Sequence, residues 1–266
     1  MRRTRTVKCS VSIAMGLILV GTGIARATPS TQIWIPSTDV QPFNVWHLGL
    51  DNYFRVSDKS NFTPGERDPN VYDAGLTVGV LPFEKLKAEV GADYIAYGNG
   101  YDDNPFYFNA KVGIPEDTLA KTMPALAVGG FGFGTNSKKA SPVRTDQNVV
   151  YGLLAKTVPA MGSIPSLGRF SAGYYVGNDE VLLGTDGDKA NDGVLLSWDR
   201  TMNEISDKLW LAVDYMGGGN ALSALSFGVS WAFSKNASVI FGYDLYEENA
   251  LAGENTFTTQ LDINFP

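Results

Sequence analysis

Apolar and polar side chains alternate through most of this chain, and the alternation is cleanest in residues 256–265. One face of that stretch carries Phe257, Thr259, Leu261, Ile263 and Phe265. A period of two places these side chains on one side of a β-strand and Gln260, Asp262 and Asn264 on the other. Strands in soluble proteins are usually about 5–6 residues long, whereas a strand that crosses a bilayer needs about 9–11. The pattern therefore predicts a membrane-crossing strand at the end of the chain.

The same two-residue period recurs along the chain and predicts about twelve strands. The eleven that precede 256–265 are Val45–Val56, Val71–Leu81, Lys85–Tyr97, Phe106–Ile114, Pro124–Gly134, Asn148–Val158, Arg169–Gly177, Gly193–Arg200, Lys208–Met216, Ala221–Phe233 and Ala237–Tyr246. Long and short connections alternate between them, except that 115–123 and 159–168 are longer than tight turns. An even number of strands joined in this way is typical of a transmembrane β-barrel, with both ends on one side.

The composition of the two faces favours a membrane barrel over a soluble fold. The polar face is rich in Gly, Ser and Thr, carries paired charges and is poor in the mixture of Lys and Glu that a soluble surface prefers. The apolar face carries aromatic residues near the strand ends, as interfacial girdles do: Trp46, Tyr72, Tyr94, Trp198, Tyr215, Trp231 and Phe265. We therefore expect the apolar face to meet lipid, with a periplasmic β-sandwich as the alternative. In the sixth strand this assigns Val149, Tyr151, Leu153 and Ala155 to the lipid side.

Residues 1–27 have the pattern of a secretory signal peptide. A basic start is followed by an apolar stretch over 11–24 and by the cleavage motif Ala25-Arg26-Ala27. The apolar stretch is too short for a comfortable transmembrane helix. Residues 28–44 come before the first strand and are predicted to form a periplasmic arm or a partial plug. The barrel itself is predicted at 45–266.

The terminal strand resembles the C-terminal signature strand of bacterial outer-membrane β-barrels, which typically ends on Phe, as Phe265 does here. Pro266 follows it and departs from the usual ending. The resemblance is to the general porin-like class, with no specific family. It implies an all-β, antiparallel up-and-down barrel of about 12 strands in the outer membrane of a Gram-negative bacterium. Its partners would be outer-membrane lipid and, during insertion, the barrel-assembly machinery, and Phe257, Leu261, Ile263 and Phe265 would form the targeting strand.

Charge and cysteine content exclude several kinds of function. The full chain has 21 Lys and Arg against 28 Asp and Glu, and five of the basic residues lie within 1–27. Without those residues, 16 basic and 28 acidic residues remain, a net formal charge of −12. This balance argues against nucleic acid as a partner. Removing 1–27 also removes Cys9, the only cysteine, so disulfides, cysteine-bound metals and covalently attached haem are not expected.

Candidate catalytic or ligand-binding motifs are weak. His47 is the only histidine, and no serine or acidic motif typical of a hydrolase accompanies it, so we expect a hydrogen-bonding residue in the lumen rather than a catalyst. Gly129 to Gly134 lack the Lys-Ser/Thr of a phosphate-binding loop and are better explained as a glycine-rich strand end. The acidic stretch 186–192 has oxygen ligands for Ca²⁺, but Ala190 stands at a ligand position, so a solvated loop is expected. The sequence thus predicts no enzyme, no cofactor and no metal site.

The predicted lumen is the most informative region. The residues assigned to it are Asp51, Arg55, Asp73, Lys85, Lys87, Glu89, Asp93, Lys111, Lys156, Arg169, Asp199, Lys208, Asp214, Asp244 and Asp262. Opposed rows of charge could select polar or charged solutes in a narrow pore. Alternatively, the charges pair with one another and fill the interior. Two functions follow: a narrow porin-like channel for small polar or charged solutes, or a non-conducting scaffold, such as the sheath of a partner cytochrome.

Overall fold

The computed structural model describes residues 30–57, 67–141, 143–162 and 164–266. They form twelve strands: β1 (Trp46–Arg55), β2 (Val71–Gly79), β3 (Lys87–Ala96), β4 (Phe106–Ile114), β5 (Ala125–Gly134), β6 (Asp146–Val158), β7 (Gly168–Val176), β8 (Asp192–Thr201), β9 (Leu209–Met216), β10 (Ala224–Ala232), β11 (Ala237–Tyr246) and β12 (Thr256–Phe265). A 3₁₀ turn at Gly100–Asp103 and a four-residue helix at Asn249–Ala252 lie in connections. No helix in these described ranges is long and apolar enough to cross a bilayer.

Every strand pairs antiparallel with its neighbours in sequence, and β12 closes the barrel by pairing with β1. The closure runs in register from Trp46 opposite Phe265 to Arg55 opposite Thr256. Full closure leaves no unpaired strand edge, which is the condition for a sheet to lie in lipid. The predicted all-β, up-and-down barrel of twelve strands is therefore confirmed. The predicted signal peptide, residues 1–27, lies outside the described residues.

The two ends of the barrel differ. At one end, which we call the termini end, β1 begins, β12 finishes, and the strands are joined by segments of about four to ten residues. At the other, which we call the long-loop end, the connections include 56–70 and 177–191. This alternation of short and long connections is that of outer-membrane barrels.

The outer surface of the barrel is apolar. Every strand presents at least one exposed, large apolar side chain on its outer face: Leu50, Leu76, Val90, Phe108, Val128, Leu154, Phe170, Leu196, Val213, Phe227, Phe241 and Phe257. Aromatic residues cluster toward the rims. Phe54 packs against Tyr72 and Tyr94 against Phe106 near the long-loop end, whereas Trp46 and Phe265 mark the termini end. An apolar band flanked by aromatic residues is the surface of a barrel that spans a membrane.

The facing predicted for β6 is wrong. Val149, Tyr151, Leu153 and Ala155 point inward and are almost fully buried, and Val150 and Leu154 are the exposed residues. Both faces of β6 are apolar, so the two-residue period does not identify the lipid side. The inward face packs against apolar groups inside the lumen, which decides the register.

Candidate functional site: the barrel lumen

The lumen contains part of the chain's own N-terminal region. Residues 30–37, which we call the lumen hairpin, fold back on themselves because Gln32 N–H donates to Ile35 O (2.7 Å) and Ser37 N–H donates to Ser30 O (3.1 Å). Residues 38–44 lead from the hairpin to β1 at the termini end. Ile33 and Ile35 are fully buried, so the hairpin is packed inside the barrel and not over its mouth.

The tip of the hairpin is bonded to the wall at β9, at β12 and at the connection between β9 and β10. The Oδ2 atom of Asp214, on β9, accepts the backbone N–H of Ile33 at 2.7 Å and that of Trp34 at 3.0 Å. Gln260, on β12, donates to the carbonyl of Ile33 at 2.8 Å. The indole of Trp34 donates to Leu222 O (2.8 Å) in the β9–β10 connection. The backbone N–H groups of Ile33 and Trp34 and the carbonyl of Ile33 are therefore hydrogen-bonded to the wall, as buried backbone groups require.

An ion pair on β3 and β4 holds the base of the hairpin. Lys111 Nζ lies 3.2 Å from Glu89 Oε1, and each side chain is 3% exposed. The ammonium also donates to the carbonyls of Ser30 (2.7 Å) and Ser37 (3.2 Å). Glu89 Oε2 accepts the backbone N–H of Gln41 at 2.7 Å. Both charges are thus paired and hydrogen-bonded, as buried charges require.

A second charged group fastens the segment to β7 and β8. Arg169, on β7, donates to Asp199 Oδ1 (2.9 Å) and to Asp39 Oδ2 (2.7 Å). Asp199 also accepts from Gln32 (3.0 Å) and from the indole of Trp210 (3.1 Å). Arg169 therefore links the wall to residues 38–44 directly, and Asp199 links it to the hairpin.

One side of the lumen is an apolar core. Ile35 of the hairpin packs with Val149, Tyr151, Leu153, Tyr175, Leu195 and Met216 from β6 to β9. Leu182, from the β7–β8 connection, reaches into the same cluster and is 2% exposed. The interior is therefore filled from the termini end by the hairpin and from the long-loop end by this connection.

The hairpin separates two chambers. One, of about 590 Å³, extends from the hairpin toward the long-loop end and is lined by β1 to β6, by Trp34 and by residues of the connections at that end, Leu182 among them. The other, of about 490 Å³, opens at the termini end and is lined by residues 38–42, Lys87 and Arg169. No described residue lines both chambers. Residues 30–42 lie between them.

Most residues assigned to the lumen from sequence do face it. The long-loop chamber is lined by Asp51, Arg55, Asp73, Glu89, Asp93, Lys111 and Asp262. Lys87 and Arg169 line the chamber at the termini end. Asp199, Asp214 and Asp244 point inward and are buried. Asp244 is held within the wall by Ser226 (2.7 Å) and Thr256 (2.8 Å) and does not reach the hairpin.

Three lysines assigned to the lumen lie elsewhere. Lys85 and Lys208 come before the first residues of β3 and β9 and are exposed in connections at the termini end. Because the lysine ammonium is strongly hydrated, an exposed turn, where it keeps its water, is more favourable for it than the barrel interior. Lys156 lies on the outward face of β6 and pairs with Glu116 (2.7 Å) and Asp117 (2.8 Å) of the β4–β5 connection.

His47 is a hydrogen-bonding residue of the lumen wall. Its Nε2 lies 3.4 Å from Asp262 Oδ1, and its Nδ1 lies 2.9 Å from Asn264 Oδ1.

The acidic stretch 186–192 forms a turn closed by a bridge between Leu183 and Lys189, with Lys189 paired to Asp179. The prediction of a solvated loop there stays a prediction.

Charges at the long-loop end join two connections. Arg144 pairs with Asp146 (2.6 Å) and with Glu180 (2.7 Å), and Lys139 also pairs with Glu180. The hydrogen bonds from Lys139 and Arg144 lower the pKa of Glu180 to about 2. These contacts tie the β7–β8 connection, which carries Leu182, to the β5–β6 connection.

The fold and the surface define the class as a membrane-spanning β-barrel with a partly filled lumen. No protein-family model matches the chain, and no curated protein matches its sequence. Among solved structures, an outer membrane channel from Pseudomonas putida F1 is 12% identical, with a TM-score of 0.45 over 92% of this chain and 99% of that one. The Acinetobacter baumannii outer membrane protein Omp33 is 10% identical, with a TM-score of 0.40 over 85% and 100%. OprB of Pseudomonas putida is 10% identical, with a TM-score of 0.35 over 84% and 94%. At these values the likeness carries no argument about function, and the barrel is established by its own strand pairing.

Proposed function

We propose that the protein is a narrow, passive channel in the outer membrane of a Gram-negative bacterium, and that the lumen hairpin limits passage through it. The observation that carries the proposal is the pair of chambers, one toward each end, that are separated by residues 30–42. Small polar or charged solutes are the cargo, because charged and polar side chains line both chambers.

The way the hairpin is held supports a movable constriction. Among the described residues, only one isolated bridge, between Phe43 and Gly79, joins residues 30–44 to a barrel strand. The remaining attachments are side-chain hydrogen bonds, the Lys111, Arg169 and Asp214 contacts, and the apolar packing of Ile33 and Ile35 against the wall. Each hydrogen bond contributes about 0.5–1.5 kcal/mol net, or about 1.5–3 when a charge is involved. The hairpin can therefore shift without breaking the strand ladder of the barrel.

The second candidate is a non-conducting scaffold barrel, and the apolar core of the lumen favours it. Ile35, Leu182 and their neighbours on β6 to β9 form a buried apolar cluster along one side of the interior. Burial of these side chains stabilises the barrel and does not serve conduction. A sheath for a partner cytochrome, one form of this idea, would have to displace that core.

Planar-bilayer recording of the refolded full-length protein separates the two candidates. The channel predicts discrete, small conductance steps that depend on voltage or occur rarely, because the hairpin lies in the path. A silent bilayer, with heat-modifiable gel migration showing that the barrel is folded, would contradict the channel and leave the scaffold.

Fractionation of cells expressing the tagged protein tests the location, which should be the outer membrane.

A further inference from the structure

The chamber on the long-loop side carries three aspartates on adjacent strands. Asp51 lies on β1, Asp73 on β2 and Asp93 on β3, and all three line the chamber. Asp51 and Asp73 are direct cross-strand partners. Asp93 is the partner of Gly75, two residues beyond Asp73 on the same face. Its Oδ1 lies 2.7 Å from where a Cβ at Gly75 would be, so the missing side chain leaves room for the Asp93 carboxylate beside Asp73.

These three carboxylates have no cationic partner among the described residues, although cations line the same chamber. Lys111 is paired with Glu89, and the imidazole of His47 lies 3.4 Å from Asp262 Oδ1. Arg144 is paired with Asp146 and Glu180. Arg55 donates to the carbonyls of Ala252 (2.8 Å) and Glu254 and lies over the ring of Tyr246. Like charges directly opposite each other on a sheet destabilise it, so this arrangement costs stability in the unliganded protein.

One carboxylate oxygen of Asp73 lacks a partner. Its Oδ1 is shielded from solvent and has no hydrogen-bond partner. Its neighbour Asp93, by contrast, accepts a hydrogen bond from Asn109 at 2.8 Å. A buried carboxylate oxygen without a partner is costly. It would gain a partner from a donor that enters the chamber.

Several aromatic rings form part of the chamber wall. Tyr53 packs edge-on against Trp34 of the lumen hairpin, with 5.6 Å between ring centroids. Tyr97 packs against Tyr107 at 6.3 Å and against Tyr101 at 5.3 Å. All of these rings line the chamber together with the aspartates. Aromatic faces attract organic cations through the ring quadrupole.

We infer that this chamber is a binding site for a small organic cation carrying an ammonium or guanidinium group. Its charged group would lie among Asp51, Asp73 and Asp93, and its carbon skeleton against the tyrosines and Trp34. A bare metal ion fits less well, because the described residues contain no cluster of three or more carboxylates, histidines or cysteines placed to hold one. The volume of about 590 Å³ is in the range of small-molecule sites. The inference deepens the proposed function, and its consequence for transport, a preference for cations, rests on that function.

Calorimetric titration of the detergent-folded full-length protein with benzylammonium at neutral pH tests the site directly. This probe carries a positive charge, N–H donors for the unpartnered oxygen of Asp73 and an aromatic ring. Benzyl alcohol, without the charge, should bind at least about tenfold more weakly. Asp73→Asn should weaken binding of the cation by about tenfold or more, and Asp51→Asn should act in the same direction. Both substitutions keep the side-chain shape and remove like-charge repulsion, so the barrel should fold.

Asp207→Asn is the matched control, because Asp207 is an exposed carboxylate in the β8–β9 connection at the termini end. It should change the affinity less than twofold. The inference is overturned if the cation does not bind, if benzyl alcohol binds equally well, or if Asp73→Asn and Asp51→Asn both leave the affinity within twofold. Conductance measured on the same preparation keeps the two proposals apart. Binding with a silent bilayer removes the channel and keeps the site, whereas conductance without binding keeps the channel and removes the site.

Discussion

The carboxylate of Asp214 accepts the backbone N–H of Ile33 at 2.7 Å, which joins the middle of β9 to the tip of the lumen hairpin across 181 residues of sequence. The same oxygen accepts the N–H of Trp34. Hydrogen bonds to a charged acceptor in a buried place are among the stronger ones. Asp214 is therefore the wall residue that most directly fixes the hairpin tip.

Replacing Asp214 should loosen the hairpin. Asp214→Asn keeps the size of the side chain but removes the charge, and about tenfold more frequent channel openings in planar bilayers are expected. Asp244→Asn is the control, because Asp244 is equally buried in the wall but bonds to Ser226 and Thr256 instead of the hairpin. Equal opening frequencies in the two variants would show that Asp214 does not hold the constriction.

The Lys111–Glu89 pair should matter for stability more than any exposed charge. Lys111→Met leaves Glu89 buried without its partner and removes the donor to Ser30 and Ser37. Removing one member of a buried pair costs about 3–5 kcal/mol. Urea unfolding from lipid vesicles, followed by gel migration, measures the free energy of unfolding. Lys208→Met, in an exposed connection, should change it by less than about 0.5 kcal/mol, and an equally small effect at Lys111 would contradict the buried pair.

The facing of β6 can be tested by site-directed spin labelling. A label at Leu154→Cys should be accessible to oxygen in the lipid and shielded from a water-soluble nickel complex, because Leu154 is 51% exposed on the apolar outer surface. A label at Leu153→Cys should show little access to oxygen, because Leu153 is 2% exposed inside the apolar core. The reverse result would restore the facing predicted from sequence.

The contacts at the long-loop end should be sensitive to acid. The pKa of Glu180 is lowered to about 2 by hydrogen bonds from Lys139 and Arg144. Its ordinary value is 4.5, so its contribution to stability is present above pH 4.5 and is lost as the pH falls toward about 2. Glu180→Gln should mimic the protonated state at neutral pH and speed hydrogen exchange in 177–191. Asp188→Asn, exposed in the same connection, should not, and equal exchange in both variants would show that Glu180 is not the tether.

The strands were predictable from sequence, and the interior was not. Alternation identified β12 and its outward Phe257, Leu261, Ile263 and Phe265, because lipid on one side and a polar wall on the other impose a strict two-residue period. The period failed at β6, where Val150 and Val149 are both apolar, since one meets lipid and the other meets the lumen core. The inward position of most charged residues followed from the same alternation.

The partners of those charges could not be predicted. Asp214 and Lys111 bond to the backbone of the lumen hairpin, and a backbone contact across 181 or 81 residues leaves no pattern in the sequence. The one available signal was the run Ile33-Trp34-Ile35, an apolar stretch ended by Pro36 outside any predicted strand. Such a run needs an apolar surface to pack on, and the inward face of β6 to β9 provides it.

A reversible cross-link can fix the hairpin tip to the wall. A Cβ at Gly242 would lie 3.2 Å from Ile33 Cγ2, so cysteines at the two positions come within the reach of a disulfide, whose Cβ atoms are about 3.5–4.5 Å apart. With Cys9→Ser, the pair Ile33→Cys/Gly242→Cys contains the only thiols. The single variant Gly242→Cys controls for crowding against Thr258 Cγ2, which lies 2.9 Å from the added Cβ.

The single-channel conductance of that cross-linked barrel, recorded before and after adding a reductant to the same bilayer, tests the account most directly. If the lumen hairpin limits passage, the oxidised protein is silent or nearly so, and reduction restores the openings seen in the single-cysteine variant. If the oxidised and reduced proteins conduct equally, the hairpin does not control the pore and the account is contradicted.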